Sequence, residues 1–344
     1  MTSPAPLHLL LVRFSSLGDV VIQTSVITWL ERTYGERLKI SFVTAVEFKD
    51  LLEHHPGVSR VLTFDRKRGE GLSSLVQKIK ALDDAHPIDL VLDLHATTRS
   101  WLLRLRLWWL PRLVVDKRRF ERLLLVRWWG KKFWTGLSRP WQQVWRTPSD
   151  WQGLLFAPLS KLEAMTFTSE GAPVDVPKRY LVLAPVASFA TKRWPIAYYR
   201  DVAQRFLASF PDWDVVVIAG PEDVHCQELD ALQHPRFRNL QGKTKLRESI
   251  AWMQQASLVL GNDSGMNHVA EAAGVPVVTL FGPTHEAFGF GPHLENSQAL
   301  SLDLWCRPCS TTGKKSCFRK EQFCMTLLTP EQVWPVLEAK ARSR

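Results

Sequence analysis

Long apolar runs are missing from this 344-residue chain. None approaches the ~18 residues of a membrane span, and the short stretch Leu9–Val12 has no basic region ahead of it. Neither a spanning helix nor a signal peptide is therefore expected, and the chain reads as cytoplasmic. Cysteine is scarce as well. Five are present, four of them between Cys306 and Cys324, which does not resemble the disulfide scaffold of a secreted protein. Internal repeats and low-complexity tracts are absent. Acidic residues thin out in one region: from Arg99 to Arg146 only Asp116 and Glu121 stand against thirteen lysines and arginines.

What is present suits a globular protein. Hydrophobic residues make up 45% of the chain, enough for two cores, and the length suits two domains. The net charge of +10 points to an anionic partner such as phosphate, nucleic acid or lipid headgroups. That excess is concentrated in the acid-poor stretch, which also holds eight of the fifteen tryptophans. Eight core tryptophans in so short a stretch would be excessive. Interleaved Trp and Arg/Lys is the pattern of amphipathic helices in membrane interfaces, and a nucleic-acid groove uses the same residue types. Composition does not choose between them.

Val259 to Thr284, VLGNDSGMNHVAEAAGVPVVTLFGPT, organises the rest. Ser257–Leu260 reads as a buried strand, Gly261–Gly265 as a tight turn, Met266–Ala273 as a helix stopped by Gly274, and Val275–Phe281 as the next strand. Such a βαβ unit puts its loop at the carboxyl end of a parallel sheet, where open α/β sheets bind ligands. Asp263 and Ser264 can cap the helix, and the backbone N–H groups near Gly265 and Met266 offer a phosphate site. An ordinary capped βαβ turn has the same local sequence.

The amino end repeats the pattern: strand His8–Phe14, turn Ser15–Asp19, helix from Val20 to about Thr33. Asp19 stands at the helix start, where a carboxylate serves equally as a cap. Leu38–Val43, Val58–Phe64 and Ile88–Leu92 continue as strands. Asp93-Leu94-His95 then lies on the same sheet edge as Asp19, and Arg99 suits a bidentate phosphate grip. Residues 149–177 read as a linker region. Beyond it Arg179–Ala184 is a buried strand leading to Lys192-Arg193-Trp194-Pro195, with Pro195 in the first turn of a helix. Trp213–Ala219 is a strand followed by Gly220-Pro221-Glu222-Asp223, which opens a helix. Leu246–Gln255 is helical. Cys306, Cys309, Cys317 and Cys324 have a spacing compatible with a structural zinc held by four thiolates, with reduced thiols as the alternative.

Phe14–Val21, Asp93-Leu94-His95, Lys192–Pro195, Gly220–Asp223, Asp263-Ser264-Gly265 with His268, and Phe281–Thr284 together resemble the lipopolysaccharide heptosyltransferases of glycosyltransferase family 9. The resemblance runs from residue 8 to about 335. It implies an α/β GT-B fold, two Rossmann-like domains facing across a cleft, here residues 1–168 for the acceptor and 169–344 for the nucleotide sugar. It also implies transfer of a heptose from ADP-heptose to the lipid A inner core, with inversion. Carried onto this chain, Asp19 matches the general base and Lys192 the residue that neutralises the diphosphate. Glu222 matches a ribose contact, and Asp263, Ser264, Gly265 and His268 match the donor loop. Ser188 and Thr284 complete the expected donor side; Ser16, Gly18, His95 and Arg99 form the expected acceptor side. Because Asp263 would repel phosphate, it is assigned to capping or a sugar hydroxyl. The chemistry implied requires no metal cofactor. A lipid A-core acceptor adds the anionic inner-membrane surface as a partner, so the protein is expected to lie peripherally on its inner face, and nucleic acid is not expected. A GT-B enzyme using another nucleotide sugar and a nucleic-acid-binding protein are the competing readings.

Overall fold

Leu7–Val12, strand β1, is buried along nearly its whole length, as a central strand of a parallel sheet covered on both faces must be. A computed structural model describes residues 7–53, 55–65, 68–115, 117, 123, 126 and 176–344 of the chain. Around β1 the first sheet has the order β3-β2-β1-β4-β5, with β2 Leu38–Ala45, β3 Arg60–Phe64, β4 Leu90–Asp93 and β5 Arg112–Val114, all parallel. Helices α1 Leu17–Tyr34, α2 Lys49–Leu52, α3 Leu72–Ala85 and α4 Thr98–Arg106 join the strands. One core packs Leu10, Val12 and Phe14 with Leu75, Ile79 and Leu103.

The second sheet has the order β11-β10-β9-β6-β7-β8, again parallel throughout. Its strands are β6 Tyr180–Ala184, β7 Asp214–Val217, β8 Phe237–Asn239, β9 Leu258–Asn262, β10 Val277–Leu280 and β11 Gln298–Leu300. Helices Ile196–Ser209 and Pro330–Arg342 pack their apolar faces onto it, with Phe206, Trp213 and Trp334 in the core. Residues 7–117 and 176–344 fall into two separate compact units. The expected boundary at residues 168 and 169, and the linker at 149–177 save its last two residues, lie outside the described residues.

In each sheet the chain reverses direction of growth once. The first unit runs β1, β2, β3 to one edge and then returns to place β4 against the other side of β1. The second runs β6, β7, β8 and then places β9 against β6. The carboxyl ends of β1 and β4, and of β6 and β9, are therefore the two topological switch points, the crevices in which such sheets bind ligands. The expected site residues Asp19, His95, Lys192 and Asp263 all follow these four strand ends.

Three local readings are corrected. Gly261 and Asn262 belong to β9 rather than to a turn, and the helix after them spans Gly265–Ala272. Residues 224–231 after Gly220–Asp223 form a 3-10 helix, Val224–Ala231, not an α-helix. There the Asp223 carboxylate accepts the Gly220 amide at 3.2 Å and closes a tight turn. Pro195 precedes Ile196–Ser209 as its N-cap rather than opening its first turn. Among the described residues no helix is long and apolar enough to cross a membrane.

Gly261 is required by packing. A Cβ there would overlap the Asn267 carboxamide and come within 3.1 Å of the Ala184 Cβ. Asn267 cannot swing away freely, because its amide donates to the Asn262 carbonyl at 3.0 Å and the Thr279 hydroxyl at 2.8 Å. Gly261→Ala should therefore lower unfolding free energy by ~1–3 kcal/mol, read as a lower urea midpoint with unchanged slope. An unchanged midpoint would mean that Asn267 yields without cost.

Candidate active site

At the first switch point Arg13, the residue after β1, is 6% exposed. Its guanidinium donates to the Ser15 carbonyl at 2.9 Å and the Leu94 carbonyl at 2.6 Å, and pairs with the Asp19 carboxylate at 2.5 Å. Asp19 also accepts the Ser16 amide at 3.0 Å and the Ser16 hydroxyl at 2.8 Å, a capping box at the start of α1. Asp19 thus does act as a cap, and its side chain remains 23% exposed. Burial pushes its carboxyl up, but Arg13 and the Ser16 donors outweigh this and hold it below the ordinary value. Gly18 is buried within the same turn, while Ser16 is exposed.

β4 ends in Asp93, fully buried, whose carboxylate accepts the His95 and Ala96 amides at 2.9 and 2.8 Å and pairs with Arg104 at 3.0 Å. These bonds hold Ala96 in the left-handed region, φ 42°, a conformation non-glycine residues seldom adopt. The turn presents His95 edge-on to Phe14, ring centroids 5.4 Å apart. Burial pushes the His95 imidazole down to about 3, helped by the Arg13, Lys117 and Arg99 charges and opposed by Asp19. At neutral pH it is an uncharged hydrogen-bonding group. Arg99 stands one turn further, its guanidinium 5.8 Å from the Phe64 ring centroid.

At the second switch point the Lys192 ammonium lies 2.7 Å from the Asp263 carboxylate, and the buried Thr284 hydroxyl donates to the same carboxylate at 2.7 Å. Asp263 therefore does not cap the helix, one of the two roles expected for it, and its charge is compensated by Lys192. Ser264 is the N-cap of Gly265–Ala272 without a side-chain capping bond, and its buried hydroxyl has no hydrogen-bond partner. An unpaired buried hydroxyl is costly. It sits beside the free amides of a helix start, where anions are held. His268, on the first turn of that helix, is buried. Ser188 is exposed after β6, and Glu222 is exposed in the turn after β7, with a carboxylate oxygen folded back over Gly220.

Two residues that sequence reasoning passed over build this loop. Asn262, fully buried at the end of β9, accepts the Trp194 amide and the Tyr199 hydroxyl, each at 3.0 Å. It thereby ties the Lys192–Pro195 segment to β9. Arg13 is the other. The signal for both is a polar side chain closing an otherwise apolar strand.

Cys306, Cys309, Cys317 and Cys324 line one pocket together with Arg307 and Arg319, and none is in a disulfide. Among the described residues no three of their sulfurs lie within 4.8 Å of one another. Burial pushes the Cys324 thiol up to about 11, with Arg307 opposing. In the acid-poor stretch, α4 carries Trp101 and Leu105, each 50% exposed, and the following turn carries Trp108 at 77%. The tryptophans from Trp128 to Trp145 lie outside the described residues.

A parallel α/β fold in two units, with ligand-type loops at both switch points, is the architecture of the GT-B class. The family model for glycosyltransferase family 9 (heptosyltransferase) matches residues 156–317. The chain is 27% identical, over 97% of its length and 98% of the relative's, to lipopolysaccharide heptosyltransferase 1 of Pseudomonas aeruginosa. Among solved structures it resembles the E. coli ADP-heptose lipopolysaccharide heptosyltransferase II, with TM-score 0.66, 19% identity and coverage of 97% and 98%. It also resembles the E. coli heptosyltransferase WaaC solved with ADP-2-deoxy-2-fluoro heptose, with TM-score 0.64, 18% identity and coverage of 97% and 99%. Residues 156–317 thus carry a heptosyltransferase domain of glycosyltransferase family 9, and the chain is a glycosyltransferase.

The depressed Asp19 carboxyl has a signed consequence. Its pairing contributes stability that is fully present above the ordinary aspartate value of 3.8 and is lost as pH falls through the lower folded-state value. The melting-temperature difference between wild type and Asp19→Asn should thus be constant near neutrality and shrink in acid below that value. A difference that does not change with pH would show that Asp19 is not held ionised by Arg13.

Proposed function

We propose that this enzyme transfers a heptose from ADP-heptose to the inner core of lipopolysaccharide, inverting the anomeric centre. The relative named above is a lipopolysaccharide heptosyltransferase, and WaaC was solved with an ADP-heptose analogue. The observation that carries the donor side is the partnerless Ser264 hydroxyl beside a helix start and the Lys192–Asp263 pair. A diphosphate supplies the acceptor oxygens that this hydroxyl and the Gly265 and Met266 amides lack, and adds a second anionic partner to the Lys192 ammonium beside Asp263. Ser188 and Glu222, which follow β6 and β7, are assigned to phosphate and ribose. His268 and Thr284 complete the donor loop.

In the reaction the acceptor hydroxyl attacks the anomeric carbon while the bond to the diphosphate breaks. Its proton passes to the Asp19 carboxylate, and the departing ADP carries away the bonding pair. Lys192 and the loop amides meet the charge that develops on the leaving oxygens, so the step needs no metal. Arg13 keeps Asp19 ionised and aimed, at some cost in basicity. Neutral His95, with Ser16, Gly18 and Arg99, lines the acceptor side. Zinc at the four cysteines is a separate structural proposal, read by elemental analysis.

General-base catalysis is worth about 10²- to 10⁴-fold. Asp19→Asn should lose kcat in that range with donor KM little changed. Lys192→Ala should weaken ADP-heptose binding and slow transfer together. Steady-state assays with ADP-heptose, UDP-heptose and a panel of truncated core acceptors check both. More than about a tenth of wild-type kcat remaining in Asp19→Asn, with chemistry limiting, removes Asp19 from the role.

A lipid-borne acceptor requires the first unit to meet an anionic surface. Trp101, Leu105 and Trp108 share one face of α4 and its following turn, opposite buried Ser100, Leu103 and Leu107. Basic residues in the same stretch each contribute about 1 kcal/mol near anionic lipid, and this segment is proposed as the peripheral membrane contact. Trp101→Ser/Trp108→Ser should release the protein from phosphatidylglycerol vesicles while leaving ADP binding intact. Undiminished vesicle binding would locate the contact elsewhere.

A further inference from the structure

His268, Glu271 and His293 form a cluster that the transfer reaction does not use as a group. His268 and Glu271 are 5% and 1% exposed on one face of Gly265–Ala272, three residues apart, and His293 comes from the loop between β10 and β11. One ligand atom from each lies within 4.8 Å of the other two. The two imidazole rings are stacked, 18° between planes.

The Glu271 carboxylate accepts the His293 amide at 2.8 Å and the Leu294 amide at 3.2 Å, with the Ser297 hydroxyl as a third donor. The Ser297 hydroxyl in turn accepts the Val277 amide at 3.0 Å. No lysine or arginine among the described residues pairs with Glu271. Buried carboxylates are paired or coordinate metals, because an isolated charge is expensive away from water. Donors fixing a ligand carboxylate from behind are the usual outer shell of a metal site.

We infer that His268, Glu271 and His293 bind a first-row divalent cation, zinc by default, clamping the 286–297 loop onto the helix that begins at Gly265. Two imidazoles and one carboxylate suit zinc, cobalt, nickel or ferrous iron rather than magnesium or calcium. A tetrahedral shell with bonds of about 2.0–2.2 Å holds ligand atoms roughly 3.4 Å apart. Closing from within 4.8 Å asks each side chain for a shift on the order of 1 Å or less. Three protein ligands leave one position for water.

The test uses the full chain, stripped with chelator and titrated with zinc chloride. Wild type should bind one equivalent more than His293→Ala or Glu271→Gln, and Cys306→Ser/Cys309→Ser should keep that equivalent. In the Cys306→Ser/Cys309→Ser chain zinc should raise the Tm, and adding His293→Ala or Glu271→Gln should abolish that rise, since only a cation bound to the native site shifts unfolding. Cobalt loaded into the cysteine-substituted chain should give d–d bands without thiolate charge transfer. A wild type that takes no zinc, or variants that take as much as wild type, overturns the inference. If either variant fails to fold, the cobalt spectrum of the cysteine-substituted chain decides, and absence of d–d bands overturns it.

Discussion

The Asp263 carboxylate is the constraint on which the second unit depends. It follows β9, takes the Lys192 ammonium from the loop after β6, and accepts the Thr284 hydroxyl from the turn after β10. Three neighbouring strand ends are thereby joined through one charge. Both partners of the ion pair are largely buried, and in such pairs removing one side leaves the other charge uncompensated, which costs more than the pair contributes. Asn262, one residue earlier, repeats the connection with neutral groups, tying Val186, Trp194, Tyr199 and Asn267 to the end of β9. With these bonds made, the Ser264 hydroxyl and the Asn267 carboxamide oxygen are left without hydrogen-bond partners. That is the property of a preorganised site, whose donors are fixed before the charge they are to meet arrives.

The first unit solves the mirror problem. Here a cation is buried and an acid is presented: Arg13 is spent on two backbone carbonyls and on Asp19, while one face of Asp19 stays open. The two carbonyls belong to the loops after β1 and β4, so the guanidinium also sets the spacing of the crevice walls. Rigidity of this kind suits proton transfer, where a small misplacement of the base costs more than a modest loss of basicity. The Asp93 turn completes the wall by aiming His95 from a backbone conformation that its two carboxylate hydrogen bonds help to hold.

The fold was legible because parallel strands buried on both faces are written as unbroken apolar runs. β1, β6 and β10 could be read to within two residues or so of their observed ends. Errors fell where packing overrides local chemistry. Gly261 and Asn262 look like a turn, yet Gly261 is small because Asn267 and Ala184 press on it, and Asn262 is polar because Val186, Trp194 and Tyr199 all bond its carboxamide. Asp263 was read as a cap or a sugar contact because its cation lies far away in sequence, and a repelling carboxylate cannot be distinguished from a neutralised one without the partner. Arg13 was passed over for the same reason: its role is set by Leu94, in the loop after β4, reached only after three intervening α-helices.

The cysteine-bearing segment follows from the same constraint, whatever its thiols bind. Arg307 donates to the carbonyls of Gly282, Leu302 and Thr284, and the Cys309 and Ser310 amides donate to Pro283 at 3.0 and 3.2 Å. The Gly282–Thr284 turn is thus held by its backbone while the Thr284 hydroxyl holds Asp263. From the other side, the Thr191 hydroxyl donates to the Gly313 carbonyl and the Gln322 amide to the Thr191 carbonyl, fixing the residue next to Lys192. Gly313 adopts φ +84° where a side chain would strike the Lys192 stem. The segment therefore grips both ends of the Lys192–Asp263–Thr284 chain through hydrogen bonds to main-chain groups, and its four thiols line a pocket together with Thr191 and Pro283.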